Sequence, residues 1–246
     1  MDRRAFLSLG AAGALGLLRD PRTTAAQTAG AQTPAPPAVP YGQSRIGISD
    51  DDRDGTLYVP KSYKPGVPMP AMMMLHGFAG TGEGVRGMFP LAEEFGVIMI
   101  APESRGLTWG RAIPGFDDDV RYLGPAYRHV ANIVDIDESR VALGGVSDGA
   151  GYALSMGLAY GDSFNHLIIL MAGQMIPYRN QGKPKIFMVH GVDDTQMPID
   201  KTARIYVPKL KADGYDVTYH EYQGGHRVPP AEIRAAFEWF VGKKAE

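Results

Sequence analysis

A serine between two glycines is the residue of this sequence best placed to act as a nucleophile. Ser147 lies in the pentapeptide Gly145-Val-Ser-Asp-Gly149, which matches the G-x-S-x-G pattern. The apolar residues 141–143 predict a short buried strand before it, and residues 150–160 predict a helix after it. A sharp turn between them would hold the hydroxyl above a sheet, where N–H groups of a helix N-terminus stabilise negative charge. The alternative is an ordinary turn, because a chain with 31 glycines can match the pattern by chance.

A histidine near the end of the chain is the best candidate for the base that such a serine needs. A serine hydroxyl is a weak nucleophile unless a base lies within hydrogen-bond reach, and a carboxylate must orient that base. In a parallel sheet these groups come from loops at the carboxyl ends of strands. Among six histidines, His226 follows the last predicted strand in a flexible loop, whereas we assign no chemistry to His76. The sequence therefore predicts His226 as the base; the alternative is a solvent-exposed loop histidine.

Two neighbouring aspartates are candidates for the orienting carboxylate. Asp193 and Asp194 follow the apolar strand predicted at residues 185–189, and they lie at the same end of the sheet as the serine. Asp200 is closer to a helix start, where an acidic side chain stabilises the helix dipole. The periodicity of the sequence does not separate Asp193 from Asp194.

Strands and helices alternate along the chain, and this arrangement must position the three groups. After a hairpin at residues 46–48 and 55–60, apolar strands are predicted at 70–75, 97–101, 141–143, 167–171, 185–189 and 217–222. Helices are predicted at 84–95, 117–134 with a kink or break at Pro125, 150–160, 199–212 with an interruption near Pro208, and 229–242. Uniformly apolar strands between helices predict an α/β fold, with a mostly parallel central sheet covered by helices on both faces.

The composition excludes several functions. The chain has 246 residues, 44% of them hydrophobic, and a net charge of −2, so it offers no basic surface for nucleic acid. The absence of cysteine excludes disulfides, cysteine-ligated metals and a thiol nucleophile. The acidic cluster at residues 50–54 does not match a calcium-binding loop and is interpreted as a solvated turn. We expect neither a metal nor a cofactor.

The N-terminal residues resemble an export signal. Arg3 and Arg4 precede an apolar run at residues 7–18, a pattern typical of a bacterial twin-arginine signal peptide. The run is too short and too rich in glycine and alanine for a stable membrane span. The sequence predicts a precursor that the export machinery carries to the periplasm or the exterior. The alternative is a basic N-terminal arm.

The predicted signal peptide covers residues 1–31. Small residues allow cleavage after Ala26 or Ala31, and we favour Ala31. Residues 32–44 contain four prolines and predict an extended linker. The catalytic domain is then expected at residues 45–246.

Four motifs together resemble the α/β-hydrolase superfamily, in which serine, acid and histidine occur in this order. The closest pattern is that of small serine esterases: the phospholipase/carboxylesterase group with the acyl-protein thioesterases, and the feruloyl esterase and polyhydroxyalkanoate depolymerase-like proteins. The resemblance covers residues 55–246 and includes Leu75-His-Gly-Phe-Ala-Gly, Gly145-Val-Ser-Asp-Gly, His190-Gly-Val-Asp-Asp-Thr-Gln-Met-Pro and Gly224-Gly-His.

The resemblance implies further site residues. The group's H-G-x-x-D-x-x-x-P motif places the acid at Asp194 and the proline at Pro198. One oxyanion donor is expected to be the backbone N–H of Asp148, directly after the serine. Similarity to H-G-x-x-G families makes the N–H of Phe78 the other donor. An amide, apolar or aromatic residue usually follows the serine in this group, so Asp148 departs from the pattern.

The short connection at residues 172–184 leaves no room for a helical lid domain. We therefore expect a shallow, open cleft walled by Phe78, the loop around Trp109, and Gln174 with Met175. Trp109 could equally be a packed loop anchor.

These features predict a serine carboxylesterase that acts on small-molecule or polymeric esters through an acyl-enzyme. A peptidase or thioesterase using the same three residues is an alternative, although no cluster that would hold peptide termini is evident. An alternative of another class is a non-catalytic binding protein that retains the fold.

Overall fold

The computed structural model describes residues 38–50, 52–110, 118–176 and 180–242. The predicted signal peptide and residues 32–37 of the predicted linker lie outside these residues. Within them, no helix combines the length and apolar character needed to cross a membrane.

An eight-stranded sheet forms the centre of the molecule, in the order β1-β2-β4-β3-β5-β6-β7-β8. The pairs β1–β2 and β2–β4 are antiparallel, and the six strands from β3 to β8 run parallel to one another. This confirms the predicted mostly parallel sheet with an antiparallel hairpin at its edge. The strands are β1 Gly42–Arg45, β2 Thr56–Val59, β3 Met69–Leu75, β4 Ile98–Ala101, β5 Ile136–Val146, β6 His166–Leu170, β7 Lys185–Gly191 and β8 Val217–Tyr222.

The edge hairpin corrects two predictions. Its first strand is β1, so the predicted strand at residues 46–48 is wrong. Those residues lie in a turn whose N–H groups at Gly47, Ile48 and Ser49 all donate to Asp54, over 2.6–2.9 Å. Asp54 is only 1% exposed, so this part of the acidic cluster is a buried loop anchor rather than a solvated turn.

Helices cover both faces of the sheet, as predicted. Two prolines, Pro125 and Pro208, lie inside helices without ending them, so neither predicted break occurs. The α-helices are α1 Phe89–Phe95, α2 Asp118–Ala131, α3 Asp148–Ala159, α4 Ala203–Ala212 and α5 Pro230–Val241, with 3₁₀ helices at Gly82–Met88 and Ile199–Lys201.

The core is divided by the sheet into two apolar clusters. Along β3 the side chains alternate: Met73 belongs to the apolar cluster that includes residues of α2, α3 and α4, whereas Met72 and Met74 belong to the cluster that includes residues of α1 and α5. Because successive side chains of a strand point to opposite faces, a strand buried on both sides must be apolar throughout. This packing fixes the parallel strands, and their carboxyl ends carry the residues considered next.

Candidate active site

Ser147 occupies a strained turn between β5 and α3. Its backbone has φ +56° and ψ −116°, a conformation that non-glycine residues rarely adopt and that the surrounding fold must enforce. The two glycines of the pentapeptide make the turn possible. A Cβ on Gly145 would lie 2.4 Å from backbone atoms of Gly149, and a Cβ on Gly149 would lie 2.3 Å from the carbonyl oxygen of His76. The strand, turn and helix predicted around Ser147 are therefore confirmed.

The structure brings the predicted serine, histidine and aspartate together. The Nε2 atom of His226 lies 2.7 Å from the Oγ atom of Ser147, and its Nδ1 atom lies 2.6 Å from Oδ2 of Asp194. Residues from the ends of β5, β7 and β8 thus form one hydrogen-bonded chain. With Nδ1–H donating to the carboxylate, the neutral imidazole presents a lone pair to the serine hydroxyl, as a general base requires.

Of the two candidate aspartates, only Asp194 faces the histidine. Its side chain is buried, and its Oδ1 atom accepts hydrogen bonds from the N–H groups of Gln196 and Met197, both at 2.9 Å. Burial raises the pKa of Asp194, but these N–H groups and His226 outweigh burial and hold its pKa below the ordinary value. Asp193 is exposed. Asp194 is therefore ionised at neutral pH and can stabilise a positive charge on His226.

A second histidine contacts the same carboxylate and was assigned no role from the sequence. His190 is fully buried at the end of β7, and its Nε2 atom lies 2.7 Å from the carbonyl oxygen of Met197 and 3.3 Å from Oδ2 of Asp194. Burial lowers the pKa of His190, so the ring is neutral, and Nε2–H donates to Met197. The bond ties the strand end to the loop that holds Asp194. His190 lies four residues before Asp194 in the same motif, and this spacing is the sequence feature that could indicate a role for His190.

Backbone N–H groups near Ser147 can stabilise an oxyanion. A Cβ on Gly77 would lie 3.6 Å from Cβ of Ser147, so the loop that contains Phe78 passes directly beside the serine. Hydrogen bonds from Ala79 to Leu107, 3.1 Å, and from Gly80 to Gly77, 3.0 Å, fix the shape of this loop.

The aromatic residue of the next loop is a packed anchor. The ring of Trp109 lies 4.7 Å from that of His76, and its Nε1–H donates to the His76 carbonyl oxygen over 2.8 Å. His76 donates from Nδ1 to the carbonyl oxygen of Gly77 and accepts at Nε2 from the N–H of Ser104. Trp109 is 4% exposed, as expected of a packed loop anchor.

The two flanks of the serine differ in size. On one side Trp109, Asp148 and the exposed Gln174 line a pocket of about 80 Å³, and Thr108 donates a hydrogen bond to the Asp148 carboxylate. Met175, the next residue, is partly buried and does not line this pocket; its N–H donates to the Tyr206 hydroxyl at 3.1 Å. On the other side a cavity of about 630 Å³ has His226 in its wall.

The sequence did not predict the larger cavity. The expected cleft had Phe78 as one wall, and its side chain is indeed 64% exposed. The cavity beside His226 is formed instead by the 3₁₀ helix Gly82–Met88 and the start of α5. These two segments are distant in sequence, so no local pattern could bring them together. The described parts of the 172–184 connection, residues 172–176 and 180–184, contain neither helix nor strand.

Comparisons with known proteins identify the fold. No family model and no curated protein matches the sequence. Among solved structures, the chain is similar to esterase PE8, with a TM-score of 0.65 and 19% identity over 76% of this chain and 97% of that one. It is also similar to S-formylglutathione hydrolase from Staphylococcus aureus, with a TM-score of 0.63 and 16% identity over 76% and 91% of the two chains. A phospholipase/carboxylesterase from Dyadobacter fermentans gives a TM-score of 0.59 and 18% identity over 82% and 98%. The chain thus has the α/β-hydrolase fold.

Proposed function

We propose that this protein, an α/β-hydrolase by fold, is a serine hydrolase that cleaves carboxylic esters through an acyl-enzyme. The observation that carries the proposal is the hydrogen-bonded chain in which Nε2 of His226 lies 2.7 Å from Oγ of Ser147 and Nδ1 lies 2.6 Å from Asp194. The names of the structural neighbours, which include several esterases and a carboxylesterase, support the same reaction.

The geometry supports a two-step mechanism. Ser147 Oγ attacks the ester carbonyl carbon while Nε2 of His226 accepts its proton, and Asp194 stabilises the resulting imidazolium. Negative charge on the carbonyl oxygen is stabilised by the N–H groups of Phe78 and Asp148. The C–O bond then breaks, and His226 delivers the proton to the departing alcohol. In the second step a water, activated by the same histidine, releases the acid and regenerates Ser147.

The alternatives remain chemically close. A thioester could be cleaved by the same residues, and one structural neighbour is named an S-formylglutathione hydrolase. A non-catalytic binding protein would have no need for a serine held in a strained backbone against a correctly oriented imidazole. The hydrogen-bonded chain at Ser147 therefore favours an enzyme.

Hydrolysis of p-nitrophenyl butyrate tests the proposal. Wild-type protein should hydrolyse it, and Ser147→Ala should lower kcat by about 10⁴-fold or more, because the three residues act as a unit. Ser163→Ala is a matched control, since Ser163 is also buried and its hydroxyl has no partner among the described residues. Equal activity of Ser147→Ala and Ser163→Ala, both folded, would refute the proposal.

We also propose that the precursor is exported to the periplasm or beyond, on the strength of the paired arginines in residues 1–31. Replacing Arg3 and Arg4 by lysine should leave the precursor in the cytoplasm. An unchanged exported yield would contradict this route.

A further inference from the structure

The large cavity beside His226 has an apolar wall. It is open to solvent and has a volume of about 630 Å³, in the range of cavities that bind small molecules. Its polar side chains are His226, Arg227 and Arg234, and the Arg234 guanidinium is paired with Glu94 through two hydrogen bonds of 2.7 and 2.6 Å. The apolar wall includes Val85, Met88, Leu91, Met171, Val228 and Ile233.

The position of His226 in the cavity wall indicates which part of an ester substrate faces the cavity. In the first step the proton on Nε2 must reach the oxygen of the departing alcohol, so that oxygen lies on the histidine side of the carbonyl carbon. The carbonyl oxygen instead points toward the N–H groups of Phe78 and Asp148. A cavity that has His226 in its wall therefore lies where the alcohol portion of an ester extends.

The other flank of Ser147 is much smaller. The pocket that includes Asp148 measures about 80 Å³, and among the described residues its lining includes the buried Trp109 and Tyr152. Trp109 is held by its hydrogen bond to the carbonyl oxygen of His76, so its ring forms a fixed part of the pocket wall. It suits a short acyl group.

We propose that the cavity binds the alcohol portion of the substrate, and that the preferred esters join a short acyl group to a medium-sized apolar alcohol. The inference rests on the proposed ester hydrolysis and names its substrate class. In the acylation step the Ser147 Oγ–carbon bond forms, the carbon–oxygen bond to the alcohol breaks, and the proton of Ser147 passes through His226 to that oxygen. The free alcohol then leaves the cavity before water attacks.

A pair of isomeric esters tests the inference directly. Hexyl acetate places six carbons on the alcohol side, whereas ethyl hexanoate places them on the acyl side, and both have the same atoms. We expect kcat/KM to be about tenfold or more higher for hexyl acetate, because only its chain is buried in an apolar cavity. Equal values, or a preference for ethyl hexanoate, would overturn the proposal.

Filling the cavity should remove this preference. A Cβ on Gly87, which lines the cavity, meets no atom within 4 Å, so Gly87→Phe can place a ring there without moving the backbone. It should lower kcat/KM for hexyl acetate about tenfold and leave ethyl acetate within about twofold. Arg86→Phe is the matched control, because Arg86 is exposed on the same 3₁₀ helix and does not line the cavity. It should leave both esters unchanged.

A second variant acts from the opposite wall. Ile233→Trp, on α5, should produce the same selective loss, so the test does not depend on the folding of one variant. Two results would overturn the assignment of the cavity: unchanged hexyl acetate hydrolysis in both variants, or equal losses on hexyl acetate and ethyl acetate. In either case, hydrolysis of ethyl acetate that depends on Ser147 would still support the proposed function. If wild-type protein cleaves neither ester, the proposed function fails and this inference fails with it.

Discussion

Two histidines contact the same carboxylate oxygen, and they differ in what their other ring nitrogen meets. His226 Nδ1 lies 2.6 Å from Oδ2 of Asp194, and its Nε2 reaches Ser147. His190 Nε2 lies 3.3 Å from the same oxygen and donates to the carbonyl oxygen of Met197, while its Nδ1 is buried without a partner in the described structure. One ring links the carboxylate to a hydroxyl, and the other links it to the backbone.

Burial also distinguishes the two histidines. Burial lowers the pKa of His190 and keeps its ring neutral, so it can hold a loop but cannot carry a proton to substrate. His226 lies at a cavity wall with a side chain that is 12% exposed. We therefore assign proton transfer to His226 and positioning of the acid loop to His190.

Removing the bridging histidine should have the largest effect. His226→Ala should lower kcat on p-nitrophenyl butyrate by about 10⁴-fold or more, because Ser147 loses its general base. Combining it with Ser147→Ala should add little. Steady-state kinetics of both single variants and the double variant check this, and multiplicative losses would show that the two residues act separately.

Replacing the carboxylate of Asp194 should have the second-largest effect. Asp194→Asn should lower kcat by about 10³- to 10⁴-fold, since an amide cannot hold the histidine tautomer that a carboxylate holds. Asp193→Asn is the matched control because Asp193 is the exposed neighbour, and it should retain most activity. The opposite ranking of the two variants would move the acid role to Asp193.

Replacing His190 should have a smaller effect, which depends on the loss of its hydrogen bond to the carbonyl oxygen of Met197. His190→Leu leaves the Met197 carbonyl oxygen unpaired in the interior, which should reduce the free energy of unfolding by about 1–3 kcal/mol and kcat by about tenfold through misplacement of Asp194. His190→Gln, which can restore the donor, should recover most of the loss in kcat. Denaturant unfolding and kcat measured on both variants test whether His190 positions Asp194. Identical kcat values for wild type and His190→Leu would show that it does not.

The smallest effect is expected from His166 at the other end of the sheet, whose buried Nδ1 atom has no hydrogen-bond partner among the described residues. Burial, then Lys185 and Arg140, lower the pKa of His166 to about 4. Between pH 6.5 and 4 the unfolded chain therefore binds a proton that the folded chain does not, so stability falls as pH decreases through this window. The contribution is of order 1 kcal/mol, because solvent reaches part of the ring and screens the effect.

The variant His166→Phe isolates this contribution. Its ring can keep the edge contacts with Trp239 and Phe240 at 5.2 Å. The difference in unfolding free energy between wild type and variant should grow in the variant's favour from pH 6.5 to pH 4. A difference that stays constant with pH would show that His166 titrates normally.

Local pattern was sufficient where the residues of a feature are close in sequence. The turn around Ser147 combines a run of apolar residues, two glycines and a helix-forming segment, and it was predicted with correct neighbours, although β5 begins at Ile136 rather than at residue 141. The strand Val217–Tyr222 was predicted with the same bounds that the structure shows. Pro125 and Pro208 lie within helices and end neither of them. Buried apolar residues of both helices belong to the cluster on one face of the sheet, and such tertiary packing outweighs the local cost of a proline.

Features built from distant segments could not be predicted. The cavity beside His226 needs the 3₁₀ helix and α5 side by side, and the anchoring of Trp109 needs β3 beneath it. Each depends on the order of strands in the sheet, which residue spacing does not determine.

Covalent labelling with a fluorophosphonate tests the central claim most directly, because this reagent reacts with a serine that a histidine activates. Mass spectrometry of wild-type protein should find one phosphonylated site, in the peptide that contains Ser147. Ser147→Ala should not be labelled, and His226→Ala should be labelled far more slowly. Folded wild-type protein that stays unlabelled, or label on another residue, would contradict the account.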